Sequence, residues 1–225
     1  AKLVSNLLLA LSMRLNALPG KLLLLLIVVV TAISCDKDPD KSVVNRSVRP
    51  ADFLSANDYK SITVELVYVT GFQPSASTVA NLKAFLTARL NKPTGVNVVQ
   101  HEVASSGASI IDVDLLRQIE FEHRSENTGG SNITAYVYFA DADYSSSNGS
   151  GKTLGVAYDY SSMAIFEKSV REFSGGAGKP STTTLETTVM FHEFAHILGL
   201  VNNGIPMEEQ HQDGSHDGHC NNQDC

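Results

Sequence analysis

TTLETTVMFHEFAHILGLVNNG, residues 183–204, is the stretch around which the rest of the chain is organised. It contains HEFAH at residues 192–196, and on a helix the i, i+4 spacing places the imidazoles of His192 and His196 on one face. Two imidazoles at this spacing can hold one metal ion together, and zinc is the ion that this motif typically binds. The stretch therefore predicts a helix that carries a zinc site.

The local pattern also predicts where this helix begins and how it packs. Thr183 and Glu186 have the spacing of a capping box, which predicts a start at Thr183. The helix is apolar on nearly every side, so we expect it to be buried. Buried histidines and a buried glutamate need partners, because an unpaired charge in an apolar interior is costly, and a zinc ion would supply one. The alternative is two hydrogen-bonded core histidines, with Glu193 as an ordinary helix residue.

The chemistry expected of such a site follows from its residue types. Zinc held by His192, His196 and a third protein ligand keeps an open position for water. The metal lowers the pKa of that water towards about 7 and polarises a substrate carbonyl. Glu193, next to the first histidine, would take the proton of the water and pass it to the leaving amine. The residues thus predict peptide hydrolysis with one catalytic Zn²⁺ as the cofactor.

Upstream of this helix, strand and helix patterns alternate. Strands are predicted at residues 61–71, 95–103 and 132–140, and helices at residues 77–91, with a serine cap, and 110–124. This alternation predicts parallel strands joined by right-handed crossovers. Residues 153–160 and 163–170 are expected to form a hairpin near a sheet edge, after a polar loop, 141–153, that is either a disordered excursion or a lip over a cleft. We predict an α/β (α+β) domain with a mixed, twisted sheet of about five strands and a buried active-site helix.

Extended by three residues, the motif becomes HEFAHILG, with Gly199 ending the helix. Here the sequence resembles the metzincin metalloproteases, whose pattern is HExxHxxGxxH. In that family the glycine turns the chain so that a third histidine reaches the metal, consistent with a left-handed C-cap. At the third position this chain has Asn202, a weak zinc ligand. The resemblance implies a metzincin-like zincin domain and a zinc-dependent endopeptidase.

The third ligand is sought further along the chain. HCNNQDC, residues 219–225, resembles the HCx₄C segment of archaemetzincins, in which the histidine before the first cysteine binds the metal. This resemblance implies His219 as the third ligand, with His211 as the alternative. Because zinc also accepts carboxylate oxygen, other residues stay open. They are His216, Asp213, Asp217 and Asn202.

An edge strand is a further feature that the resemblance implies. Metzincins have an antiparallel edge strand above the zinc that pairs with extended substrate. Four residues occupy the matching place in strand order: Gly155, Val156, Ala157 and Tyr158. They are expected to bind a protein or peptide substrate, and an ordinary hairpin strand is the alternative. The family's methionine turn would follow Cys225, so we expect the catalytic domain, residues 59–225, to be C-terminally truncated here.

The first 58 residues predict export and membrane attachment. Lys21 precedes thirteen mostly apolar residues, 22–34, which is typical of a signal peptide, whereas a stable membrane span needs roughly 20 apolar residues. We assign residues 1–34 to a signal peptide with upstream residues, and the polar stretch 35–58 to a tether. The segment ending in Cys35 resembles a bacterial lipobox, which implies lipidation of Cys35; an unmodified thiol is the alternative.

This N-terminal pattern and the net charge predict location and partners. The chain looks like the predicted membrane-anchored metalloproteases of bacterial lipoprotein type, which implies a protein lipid-anchored in the cell envelope, facing the periplasm or the exterior. In that oxidising location Cys220 and Cys225 could form a disulfide. A net charge of −7 and the lack of a basic stripe argue against nucleic acid as a partner.

Two other functions stay open beside the endopeptidase. One is a catalytically inactive, zinc-stabilised binding module at the cell envelope, which the missing histidine at position 202 favours. The other is a metallohydrolase acting on a non-peptide carbonyl, for which the sequence has no specific feature.

Overall fold

The computed structural model describes residues 48–147, 151–201, 207, 210–215 and 219–221. Several predictions therefore lie outside the described residues: the signal peptide, Cys35, most of the tether, Asn202, His216, Asp217 and Cys225. Among the described residues, no helix combines the length and the apolar character that crossing a membrane requires.

Helices and strands alternate along the described chain. In order they are α1 (Pro50–Leu54), β1 (Ser61–Val69), α2 (Ala76–Arg89), β2 (Gly95–Val103), β3 (Ile110–Ile111), α3 (Val113–His123), β4 (Asn132–Phe139), β5 (Asp143–Tyr144), β6 (Gly155–Asp159), β7 (Ser162–Ile165), α4 (Glu167–Glu172) and α5 (Thr182–Ile197). The predicted strands at 61–71, 95–103 and 132–140 are confirmed to within two residues.

Five of the strands form one sheet in the order β2-β1-β4-β7-β6. The first four are parallel to one another, and β6 pairs antiparallel with β7 at the sheet edge. The short strands β3 and β5 pair separately. The predicted α/β class, the mixed sheet of about five strands and the edge hairpin are confirmed at this level.

The central strand β1 shows why the sheet is covered on both faces. Its side chains alternate, so Ile62, Val64 and Leu66 join one buried cluster with Leu82 of α2 and Phe194 of α5. Val67 and Val69, at the alternate positions of the strand, point the other way and pack with Leu116 and Ile119 of α3. The sequence of a strand buried on both faces is an almost continuous run of apolar residues, which is typical of central parallel strands.

The folded domain begins earlier than the predicted boundary at residue 59. Val48 is 4% exposed and Phe53 is fully buried, and both belong to the larger core cluster. Lys92 holds this segment in place, because its ammonium donates hydrogen bonds to the backbone carbonyls of Asp52 and Ser55. Residues 48–54 therefore pack on the domain, and this part of the predicted tether is corrected. The segment is mostly polar, so the sequence pattern did not predict that Phe53 would be buried in the core.

Two predicted elements, the helix at 110–124 and the strand at 163–170, are wrong in part. Residues 110–124 were expected to form one helix, but Ile110–Ile111 pairs with Asp143–Tyr144, and Asp112 then caps α3 through a 2.9 Å bond from the Leu115 amide. The same pairing fixes the position of Asp143–Tyr144 in the polar loop. Residues 148–150 of this loop lie outside the described residues. The second half of the predicted strand 163–170 is helix α4.

The start of α5 also differs from the prediction. Ser181, not Thr183, is the N-cap, and its hydroxyl accepts a 3.1 Å hydrogen bond from the Thr184 amide. The Glu186 carboxylate, which was expected to complete a capping box, turns away from the helix start and accepts a hydrogen bond from the Ser75 amide. Ser75 is itself the N-cap of α2, which begins at Ala76 and not at Ser77.

Strand β6 and helix α5 approach each other unusually closely at Gly155. A Cβ atom at this position would lie 2.7 Å from Cγ and Oε1 of Glu193 and 2.7 Å from Cγ1 of Val189. Real Cβ contacts do not come this close, so the absence of a side chain at Gly155 is what lets the helix pack under the edge strand.

We expect Gly155→Ala to destabilise the domain by about 1–3 kcal/mol, the usual cost of overpacking a core, because β6 must move away from α5. Denaturant unfolding followed by circular dichroism measures this change. Gly129→Ala is the matched control, since a Cβ there meets nothing within 4 Å and needs no positive φ. Equal stability of the two variants would show that the close approach is not needed.

Candidate metal centre

His192 and His196 point their ring nitrogens at each other from successive turns of α5. The two Nε2 atoms are 3.2 Å apart, the ring centroids are 4.8 Å apart, and the rings are perpendicular. The i, i+4 spacing thus places both imidazoles on one face, as expected from the sequence.

The separation of these two nitrogens fits a shared metal ion. Two nitrogens bound to tetrahedral zinc at about 2.0–2.1 Å would themselves lie about 3.3 Å apart. Two ring nitrogens that face each other at 3.2 Å also need a positive centre, because two lone pairs repel unless a proton or a metal ion lies between them. The donor set and its geometry therefore fit a zinc ion.

Both imidazoles are biased towards the neutral form that binds metals. His196 is 6% exposed, and burial, followed by the proximity of His192 and His219, lowers its pKa to about 4. His192 is exposed as a residue, but its ring faces the buried His196. Desolvation of that ring, and next the charge of His219, lowers its pKa. Neutral imidazoles keep a lone pair available at neutral pH, so no proton has to be displaced before metal binding.

The end of α5 has the turn that the glycine predicted. Gly199 has a φ of 73°, in the left-handed region. Its amide donates a hydrogen bond to the His196 carbonyl at 3.1 Å, and the Leu200 amide donates to the Ala195 carbonyl at 3.0 Å. This pair of hydrogen bonds is a Schellman motif, which ends the helix with Gly199, three residues after the second histidine.

His219 lies beside the histidine pair. Its ring centroid is 5.5 Å from that of His192 and 6.5 Å from that of His196. A short antiparallel pairing holds it there, since the Asp213 amide donates a hydrogen bond to the His219 carbonyl at 2.7 Å and Gln212 pairs with Cys220. Within the described ranges, however, no three His, Cys, Asp or Glu side chains are already arranged to enclose a metal. The third imidazole is close to the pair without closing the ligand set.

The other predicted residues of this tail are placed as follows. His211 takes part in the same pairing through its carbonyl, which accepts a 2.8 Å hydrogen bond from the Asn221 amide. In the described part of the chain its ring makes no contact with either helix histidine, and its Nε2 is buried without a hydrogen bond. Cys220 is disulfide-bonded, while Cys225 lies outside the described residues, so their pairing stays a prediction.

Glu193 lies between α5 and the edge strand β6. It is 5% exposed, and burial raises its pKa to about 7, against the opposing effect of a hydrogen bond from the Ala157 backbone. A carboxyl group that titrates near neutral pH can both accept and donate a proton. The Ala157 amide also fixes the direction of this side chain relative to β6.

The four predicted residues of the edge strand do not all face the histidines. Gly155 and Ala157 lie on the α5 side, whereas Val156 and Tyr158 pack into the cluster on the other face of the sheet. The Tyr158 hydroxyl donates a 2.8 Å hydrogen bond to Glu120 of α3. The side chains of Val156 and Tyr158 therefore stabilise the sheet, and only their backbone is available at the strand edge.

Sequence reasoning missed two features. The first is the contact role of Gly155, which an isolated glycine in a strand pattern signals. The second is a pair of buried carboxyl groups, Glu167 and Glu186, which are 0% and 1% exposed. In the sequence, the only sign of this pair is that each glutamate stands in a segment otherwise expected to be buried.

Comparisons of the chain with protein-family models, with curated proteins and with solved structures found no match in any of the three. The interpretation of the site rests on its own residues and their geometry.

Proposed function

We propose that this protein is a zinc-dependent endopeptidase in which His192, His196 and His219 hold the metal and Glu193 is the general base. The observation that carries the proposal is the 3.2 Å approach of the two Nε2 atoms, one residue away from a buried carboxyl group held against the edge strand. A zinc ion bound there would supply an acidified water molecule and a Lewis acid for the substrate carbonyl. His211 is the alternative third ligand.

Glu193 performs the proton transfers in this proposal. Its carboxylate accepts a proton as water attacks the carbonyl carbon and returns the proton to the leaving amine nitrogen. Without metal the pKa of Glu193 is about 7, and a cation bound beside it would lower that pKa and favour the carboxylate that accepts the first proton. Its burial against Gly155 excludes bulk water from one side of the carboxyl group.

The edge of β6 supports a protein or peptide as the substrate. β6 pairs with β7 on one side, and no other described strand pairs with it on the other. An extended peptide can add to such an edge through main-chain hydrogen bonds. The backbone of Gly155–Asp159 would then align the peptide beside Glu193, which the Ala157 amide contacts.

The cell envelope is the proposed location, on the strength of the apolar run before Cys35. Expressed in a bacterium, the wild-type chain should fractionate with membranes, and Cys35→Ser should move it to the soluble fraction after signal cleavage. A single acyl chain binds membranes only marginally, so the wild-type is expected to need more than one. Equal partitioning of the two proteins would contradict lipidation of Cys35.

The role of Glu193 is tested with Glu193→Gln. We expect kcat to fall by about 10²–10⁴, the usual contribution of general acid–base catalysis, with zinc content unchanged at about one ion per chain. Cleavage of an unstructured protein and metal analysis measure the two quantities.

Glu122→Gln is the matched control, because Glu122 is exposed on α3, away from the histidines. It should keep full activity. Undiminished hydrolysis by Glu193→Gln would overturn the proposed mechanism. Tight zinc binding without hydrolysis by the wild-type would instead favour the zinc-stabilised binding module.

The third ligand is tested by comparing His219→Ala with His211→Ala. Loss of groups that only support a zinc ligand costs 10–100-fold in affinity, so loss of a direct ligand should cost at least about a hundredfold. We expect this loss for His219→Ala alone, because only the His219 ring lies beside the helix pair. Zinc titration against a chelating competitor measures it, and the reverse order of the two variants would assign His211.

A further inference from the structure

A second pocket, of about 490 Å³, lies at the carboxyl ends of β1 and β7, where open α/β sheets commonly bind ligands. Its walls come from the loop before α2, from α4 and from the first turns of α5. The polar residues lining it include Gln73, Ser75, Glu167, Arg171, Thr182 and Glu186. Glu186 precedes Glu193 by seven residues, so the pocket is about 10 Å along the helix from the proposed general base.

Two buried carboxyl groups meet in this pocket. Glu186 Oε2 accepts a 3.2 Å hydrogen bond from the Ser75 amide and another from the Thr78 hydroxyl. Glu167 Oε1 accepts a 2.7 Å bond from Nε of Arg171. Glu167 Oε2 is buried, and no N–H or hydroxyl donor among the described residues reaches it. Glu167 and Glu186 can share a hydrogen bond when one of them is protonated. When both are ionised, the buried oxygen lacks the donor that burial normally requires.

The charges around this pair do not balance when both carboxyl groups are ionised. Among the described residues that line the pocket, Arg171 is the only cation, and its NH1 and NH2 groups also donate to the backbone carbonyls of Gly71 and Gln73. The loop residues 70–76 bring no titratable group. Burial, and next the charge of Glu186, raise the pKa of Glu167 to about 8. At neutral pH a proton therefore compensates the excess negative charge, and a cation can take its place.

We infer that this pocket is a binding site for a hard divalent cation such as Ca²⁺, held by the carboxylates of Glu167 and Glu186. Carboxylate oxygens are the ligands that Ca²⁺ prefers, and the ion completes its shell of six to eight oxygens with hydroxyls, carbonyls and water. The volume of about 490 Å³ accommodates an ion that keeps several of its waters. Binding is an exchange: the Glu167 carboxylic acid releases one H⁺ as its oxygen bonds to the cation.

Other ligand classes fit the pocket less well. An anion would face two carboxyl groups, and the amide at the N-terminus of α2 is already bonded to Glu186. An apolar ligand would have to cover the carboxyl groups of Glu167 and Glu186 and the Arg171 guanidinium, which line the pocket. A hard cation is also distinct from the ion proposed for the histidines, because Ca²⁺ binds oxygen and not imidazole. The inference does not depend on the proposed peptidase function.

The site is tested by calorimetric titration of the whole protein with CaCl₂, comparing wild-type with Glu167→Gln. Glutamine has the shape of the protonated glutamic acid, so the variant should fold, which its circular dichroism and Tm verify. We expect saturable binding of one ion by the wild-type and at least about a tenfold weaker Kd for the variant. Glu172→Gln is the matched control, because Glu172 is exposed on the same helix and bonds Lys152 outside the pocket; it should bind like the wild-type.

Proton linkage gives a second, independent readout. Because a proton must leave Glu167, the apparent affinity for Ca²⁺ should rise about tenfold per pH unit between pH 6 and 8 and level off above about pH 8. Without the cation, the folded state holds this proton more tightly than the unfolded state. The wild-type should therefore lose stability as pH rises from about 5 to 8, whereas Glu167→Gln should not. Added Ca²⁺ should remove that loss.

Three outcomes would overturn the inference. They are no saturable binding up to about 10 mM Ca²⁺, which is weaker than the weakest calcium modules, equal binding by wild-type and Glu167→Gln, or binding that releases no proton. Each would mean that Glu167 and Glu186 share a proton and do not bind a cation.

Discussion

The close packing of α5 under the edge strand β6 is the contact on which the candidate metal centre depends. At Gly155 the strand has no side chain, so Val189 and Glu193 approach its backbone to a distance that any Cβ would prevent. This approach brings the Glu193 carboxyl group within reach of the Ala157 amide. The proposed general base and the proposed substrate-binding edge are thus positioned by one contact, and the helical geometry of α5 places the histidines.

The parts of the fold that could be predicted are those determined by local pattern. β2 was predicted with its observed bounds, because its β-branched run is flanked by turn residues. The errors occurred where a distant residue supplies the partner. Residues 110–111 form a strand because Asp143–Tyr144 lies alongside, and Glu186 leaves the helix start because the Ser75 amide is available. No property of the neighbouring sequence reveals such partners, which loop closure brings together only in the folded chain.

The residues of the candidate site also fall into two groups, those that local pattern predicts and those that only the fold brings together. His192, Glu193 and His196 could be identified because one helix holds all three, and helical spacing is readable from sequence. His219 could be predicted only from a resemblance to a known family, since it lies 23 positions after His196 and the fold brings the two ring centroids to 6.5 Å. The pairing of Glu167 with Glu186 was missed altogether, because these residues lie on different helices whose packing the sequence pattern does not reveal.

Helix α5 carries several ionisable groups, and its two buried glutamates depend on partners from elsewhere in the chain. Glu186 is stabilised by the N-terminus of α2, and Glu193 by the backbone of β6. His192 and His196 contact each other, and the His219 ring lies beside them. A ligand that binds the folded state alone stabilises it by RT ln(1 + [L]/Kd), so an ion at either end of the helix would also hold the helix against the sheet. Because α5 is a single rigid element, its stability and the geometry of the proposed catalytic residues are linked.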